Sequence, residues 1–179
     1  MCEKQFFNLI LALEARWHVA QTIYPYMAGI ALAYCVTLSM YPGLESEIVS
    51  CRLGSWTPVL LMFTFNTADV LGKVLAAVPY NWSRRQLILM SSLRGLLIPL
   101  LLLCVAPRHQ PTISGEIPPF FFTAALGVSN GLAGSLPIML APSKVPATLK
   151  EVTGNMMTLS YMTGLVTGSL VRIIIIILF

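Results

Sequence analysis

Charged side chains are scarce in this chain: 10% of its 179 residues, where a soluble domain carries about 25%. With so few, the surface of a soluble globular domain could not be hydrated, and that class is excluded. Cysteine is thin as well. Cys2, Cys35, Cys51 and Cys104 show no CxxC and no His-paired spacing, so neither a disulfide framework nor a metal site is signalled. Cys35 and Cys104 fall in apolar stretches, where a thiol packs as a small hydrophobe. His18 and His109 stand alone near the ends of such stretches, an interfacial position rather than a ligand set. No basic run exceeds Arg84-Arg85. The net charge of +4 and pI near 9.0 therefore lack the concentrated basic face that phosphate binding needs, and nucleic acid is not an expected partner. The chain also has no paired aspartates, no Ser with a positioned His and no metal-spaced cluster. An intramembrane enzyme is not expected, nor is any cofactor.

Apolar residues fill the sequence instead, at 56% with a mean hydropathy of +0.79. They fall into five stretches, about 17–40, 56–78, 87–106, 117–141 and 152–179, divided by turns such as Tyr41-Pro42-Gly43 and Pro79-Tyr80-Asn81. Each is near the ~20 residues with which a helix crosses the hydrocarbon core. Continuous runs such as LLIPLLLLCV exclude the alternation of a transmembrane barrel. The expected fold is an all-α integral membrane bundle of five transmembrane helices over 16–179, with the bilayer as its first partner. Residues 1–15 read as a cytoplasmic or interfacial lead-in, since no small-x-small cleavage site follows them. Prolines 25, 58, 99 and 137 are expected to interrupt helical hydrogen bonding near a cavity. The tail RIIIIILF carries no functional reading.

Loop charge sets the expected orientation. Lys4, Arg16, Arg84, Arg85, Lys144 and Lys150 fall on one side. The other side has Arg52, Arg108 and Arg172 beside Glu45, Glu47 and Glu116. The N-terminus is thereby expected in the cytoplasm and the C-terminus outside. The sequon Asn81-Trp82-Ser83 then faces the cytosol and carries no glycan.

The second stretch, WTPVLLMFTFNTADVLGKVLAAV, holds an acid and a base at its middle. Asp69 and Lys73 are one helical turn apart, and Met62, Asn66, Asp69, Lys73 and Ala76 share a stripe on a helix. An ionisable residue at the bilayer centre costs roughly 2.5–3.5 kcal/mol on insertion scales, so both should face protein or a water-filled path. Two readings stand open: a self-neutralised pair that locks helix packing, and a pair opened by a polar solute. Arg94 in the third stretch could snorkel to the cytoplasmic interface, or contact Asp69 or loop carbonyls. Asn130, centred in the fourth, can donate and accept at once. Small residues mark close helix approach: Gly72 in the second stretch, Gly127, Gly131 and Ser135 in the fourth, and Ser160, Gly164 and Gly168 in the fifth.

The strings FNTADVLGKVLAAVP, SLRGLLIPLLLLCV and LGVSNGLAGSLPIMLAPSKV, with EVTGNMMTLSYMTGLVTGS after them, resemble the C-terminal half of equilibrative nucleoside transporters. The likeness covers about residues 16–171 and leans toward the plasma membrane monoamine transporter branch. It implies a fold similar to the C-terminal bundle of a major-facilitator-like carrier, at the plasma membrane, and facilitative movement of nucleosides or organic cations. By motif, Asn66, Asp69 and Gly72 match the family's polar signature, and Arg94 and Asn130-Gly131 match as well. Lys73 stands where many nucleoside-selective members have arginine, and lysine cannot make the bidentate fork. Leu132 stands where the family often has an aromatic residue. The family pattern has eleven spans, so the chain reads as the last five: a fragment, a truncated isoform, or a half that associates with another polypeptide or a full-length relative. A five-span bundle cannot rock against an absent partner, which leaves a non-transporting interaction protein as the alternative.

Overall fold

The computed structural model describes residues 2–43, 46, 48, 53–105 and 117–178. Cys51, Arg52, Glu45, Glu47, Arg108, His109 and Glu116 lie outside the described residues, and with them much of the second side of the loop-charge comparison.

The described residues are almost entirely helical, and among them five stretches are long and apolar enough to cross a membrane: Leu13–Met40, Thr57–Ala76, Arg84–Cys104, Ile117–Lys144 and Ala147–Ile175. It is a multi-pass membrane protein. The first helix, α1 (Cys2–Met40), runs unbroken from the lead-in into the first span. α2 is Thr57–Ala76. Pro58 sits in its first turn, where a missing N–H costs no helical bond, so this proline opens a helix rather than interrupting one. Pro25 and Pro137 do lie inside helices, in α1 and in α5 (Ile117–Leu140).

The third crossing is divided. α3 (Arg84–Leu93) begins with a capping box, in which the Ser83 hydroxyl accepts from the Gln86 N–H and the Gln86 side chain accepts from the Ser83 N–H. It gives way to a 3-10 turn at Arg94–Leu96 before α4 (Leu97–Val105) resumes. Pro99 accounts for the change: its ring would strike the Gly95 carbonyl of a regular α-helix. The tighter turn carries Arg94 inward, to 2% exposure. The last helix, α6 (Lys150–Leu178), follows α5 through two short 3-10 turns and continues through the isoleucine run.

α1 is the central helix, packed on α3, α5 and α6, while α2 packs on α5. One apolar cluster joins Val19, Ile23 and Ile30 of α1 to Leu87, Leu136 and Met157; a second joins Val36 and Met40 to Phe65, Leu101 and Leu126. The outward faces are apolar too, with Phe63, Val70, Val74, Leu159, Val166 and Leu170 exposed, a surface suited to contact with lipid or with a further helix bundle.

Lipid is as apolar as leucine, so the helices are drawn together by close backbone contact rather than by burial from water. A Cβ on Gly72 would overlap the Val128 carbonyl, one on Gly127 the Phe65 carbonyl, and one on Gly131 the Asp69 carbonyl. α2 and α5 thus meet backbone to backbone. On α6, Gly164 lies against the Ala31 backbone and Gly168 against that of Cys35, which seats α6 on α1. Ser160 is buried in the same row, whereas Ser135 is half-buried.

Candidate functional site

The buried face of α2 is Thr57, Leu61, Phe65, Ala68, Gly72 and Ala76, at helical spacing, and Asp69 lies on its edge. The stripe read from sequence is therefore split: Asp69 and Ala76 turn inward while Asn66 and Lys73 stay exposed. Lys73 Nζ meets Asp69 Oδ2 at 2.7 Å, with the lysine side chain 53% exposed and the aspartate side chain 12%. Because Gly131 lets α5 press against α2, the short side chain of Asn130 reaches the other oxygen, and Nδ2 donates to Asp69 Oδ1 at 2.7 Å.

Behind Asn130 the network continues into α1 and the third crossing. The Thr37 hydroxyl lies 2.7 Å from Asn130 Oδ1 and 2.9 Å from the Ala33 carbonyl, and it accepts from Arg94 Nη2 at 2.6 Å. Arg94 Nη2 also reaches Asn130 Oδ1 at 3.2 Å. Arg94 does not snorkel. It stays buried, and its Nε and Nη1 have no partner among the described residues. One carboxylate is thus flanked by two cations, Lys73 directly and Arg94 through one amide, which leaves the network one positive charge in excess.

Four sequence-selected residues, Asp69, Lys73, Asn130 and Arg94, come together here. Asn66 does not join them. Its Nδ2 donates to Met62 O at 2.8 Å and to Tyr41 Oη at 3.1 Å, beside the stacked rings of Tyr41 and Phe65.

Three residues escaped the sequence reading: Thr37, Tyr34 and Tyr41. Thr37 carries no distinguishing sign, because Thr22, Thr64, Thr153, Thr158 and Thr163 also bond the carbonyl one turn back. Tyr34 lies edge-on to Tyr161, centroids 4.4 Å apart, with its hydroxyl against Gly134. Among the described residues no three His, Cys, Asp or Glu side chains stand together.

The arrangement is a charged, hydrogen-bonded centre within the membrane-spanning helices, open on the Lys73 side and closed behind Asn130. The family model for "Nucleoside transporter" matches residues 2–177. The chain is 46% identical over 156 residues to equilibrative nucleoside transporter 4 of Danio rerio, covering 87% of this chain and 30% of that protein. The Homo sapiens protein of the same name is also 46% identical, with 87% and 29% covered. Equilibrative nucleoside transporter 1 of Homo sapiens is 33% identical over 153 residues, with 79% and 33% covered. The chain thus spans about 30% of the length of the first two relatives. With a match over residues 2–177, this chain belongs to the nucleoside transporter family.

Proposed function

We propose that this bundle is the solute-facing part of a facilitative carrier for nucleosides or organic cations, with Asp69 and Lys73 as the groups that meet the cargo. The single observation that carries this reading is the asymmetry of the Asp69 carboxylate. One oxygen is fixed by the buried Asn130, and the other is held by an ammonium that is half exposed. The fixed side gives the carboxylate a defined direction; the loose side is a partner that a solute can replace. A ribose hydroxyl donates to the freed oxygen while Lys73 donates to the solute's acceptors, and a protonated amine replaces Lys73 outright. Membership in the family supports nucleoside transport, and the names of the relatives support it further. The organic-cation alternative rests on the resemblance to the monoamine branch and on lysine in place of arginine at position 73.

Transport by alternating access needs a second bundle, supplied by the same polypeptide or another, against the face where Asn66 and Lys73 are exposed. The bundle sits in the plasma membrane, as the resemblance to the monoamine branch implies, with its N-terminus in the cytoplasm, an orientation supported by Arg84, Arg85, Lys144 and Lys150 at one end of the helices. The test is uptake of labelled uridine and labelled serotonin by cells expressing the chain, alone and with a full-length relative. Saturable uptake of either that is lost in Asp69→Asn at equal surface amount sustains the carrier reading. Uptake unmoved by Asp69→Asn under those conditions leaves the charged pair as a packing lock, and the chain as a membrane interaction protein.

A further inference from the structure

We infer that Thr37, clamped by Arg94, is a positioning residue: it fixes the Asn130 amide so that its NH2 group faces Asp69. An asparagine amide has two orientations of nearly equal shape, so its direction is set by what flanks it. Here the flanks are opposite charges. Turned as it is, Oδ1 faces the Arg94 guanidinium and the Thr37 hydroxyl, while Nδ2 faces the Asp69 carboxylate. Turned the other way, an acceptor would face the carboxylate and a donor the guanidinium, two repulsions at once.

The distances assign the larger share of this restraint to Thr37. Arg94 reaches Asn130 at 3.2 Å but grips Thr37 at 2.6 Å, and Thr37 in turn lies 2.7 Å from Asn130. A threonine hydroxyl has one proton. The Arg94 N–H takes one of its two lone pairs; the proton itself goes to Asn130 or to Ala33, and Asn130 is the nearer. The three residues are 2–6% exposed, so no solvent is at hand to substitute for a lost bond. None of them contacts the cargo in this scheme; they act through Asp69. The consequence for uptake rests on the transport reading above, whereas the restraint on Asp69 itself does not.

Asp69 is the single aspartate of the chain, which makes a direct test available. The protein is labelled with aspartate carrying carbon-13 at the side-chain carboxyl, placed in lipid nanodiscs, and its one carboxyl resonance is recorded. Thr37→Val keeps the shape and removes the hydroxyl; we expect the resonance to move toward its position in Asn130→Leu, and Thr37→Ser to return it. In uptake, Thr37→Val should raise KM about five-fold, the factor for one net hydrogen bond, and Thr37→Ser should restore it. A Thr37→Val resonance at the wild-type position, in a protein of unchanged helical content, overturns the inference. A resonance that moves while saturable uptake stays the same upholds the positioning role and overturns the assignment of Asp69 to the cargo.

Discussion

Asn130 and Asp69 are joined by a 2.7 Å hydrogen bond at the crossing where Gly72 and Gly131 let α5 rest directly on α2. Packing and site are therefore one feature. A single methyl group at either glycine would part the helices and lengthen the bond that orients the carboxylate.

Gly131→Ala is expected to destabilise the bundle by about 1–3 kcal/mol, because the added Cβ meets backbone atoms of Asp69, Gly72 and Lys73 that cannot rotate aside. Gly154→Ala provides the control. Its Cβ would enter open space on α6, and alanine is the better helix former by about 1 kcal/mol. Thermal unfolding in detergent should rank Gly131→Ala below wild type and Gly154→Ala at or above it. Equal midpoints for the two variants would remove the close crossing from the account of stability.

Asp69→Asn and Lys73→Ala should both depress uptake, and unequally. Removing the carboxylate leaves the buried Arg94 without its compensating charge and strips the cargo of its acceptor. Asp69 is buried, and a hydrogen bond to a charged group is worth about 1.5–3 kcal/mol, so a loss of about ten-fold or more is expected for Asp69→Asn. Lys73 is half exposed and holds one carboxylate oxygen, while Asn130 still fixes the other, so Lys73→Ala should lower uptake by less. The measurement is initial uptake rate, corrected for surface amount.

The five apolar spans were legible because hydrocarbon allows little else: about twenty apolar residues per crossing, closed by Pro, Gly and Asn turns. The charge pair was legible for the converse reason, since Asp69 and Lys73 are costly anywhere but against a partner. What the sequence hid was depth and direction. Arg94 reads equally as a snorkelling anchor until the 3-10 turn ahead of Pro99 brings it inward. Thr37 looks like any threonine bonded to its own helix. Asn66 shares a helical stripe with Asp69, yet pairs with Tyr41, because the close contact with α5 buries Ala68, Asp69 and Gly72 and leaves Asn66 on the exposed flank.

Gly134 and Tyr34 form a further pair that can be tested by coupling. A Cβ at position 134 would sit 2.8 Å from the Tyr34 hydroxyl and 3.3 Å from the ring carbons beside it. Gly134→Ala alone should push the ring away and loosen its edge contact with Tyr161. Adding Tyr34→Phe removes the nearest clashing atom. The double variant should therefore unfold at a higher temperature than Gly134→Ala, a favourable coupling within the usual 0.5–3 kcal/mol range for residues in contact. Strict additivity of the two changes would show that the hydroxyl is not what Gly134 accommodates.

Lys73→Arg probes the choice between the two cargo classes. A guanidinium presents two parallel N–H donors that match a carboxylate, whereas an ammonium is a compact point charge on a flexible stem. With Asp69 Oδ1 already committed to Asn130, arginine would hold Oδ2 more firmly and still aim a second N–H outward to a neutral acceptor. An amine cargo, which must replace that cation at the carboxylate, is disfavoured by the change. A nucleoside, which accepts from the outward N–H, is not. The ratio of uridine to serotonin uptake should rise in Lys73→Arg at equal surface amount. A ratio that stays at its wild-type value would mean that residue 73 does not select between them, and that the cargo class is set on the opposing bundle.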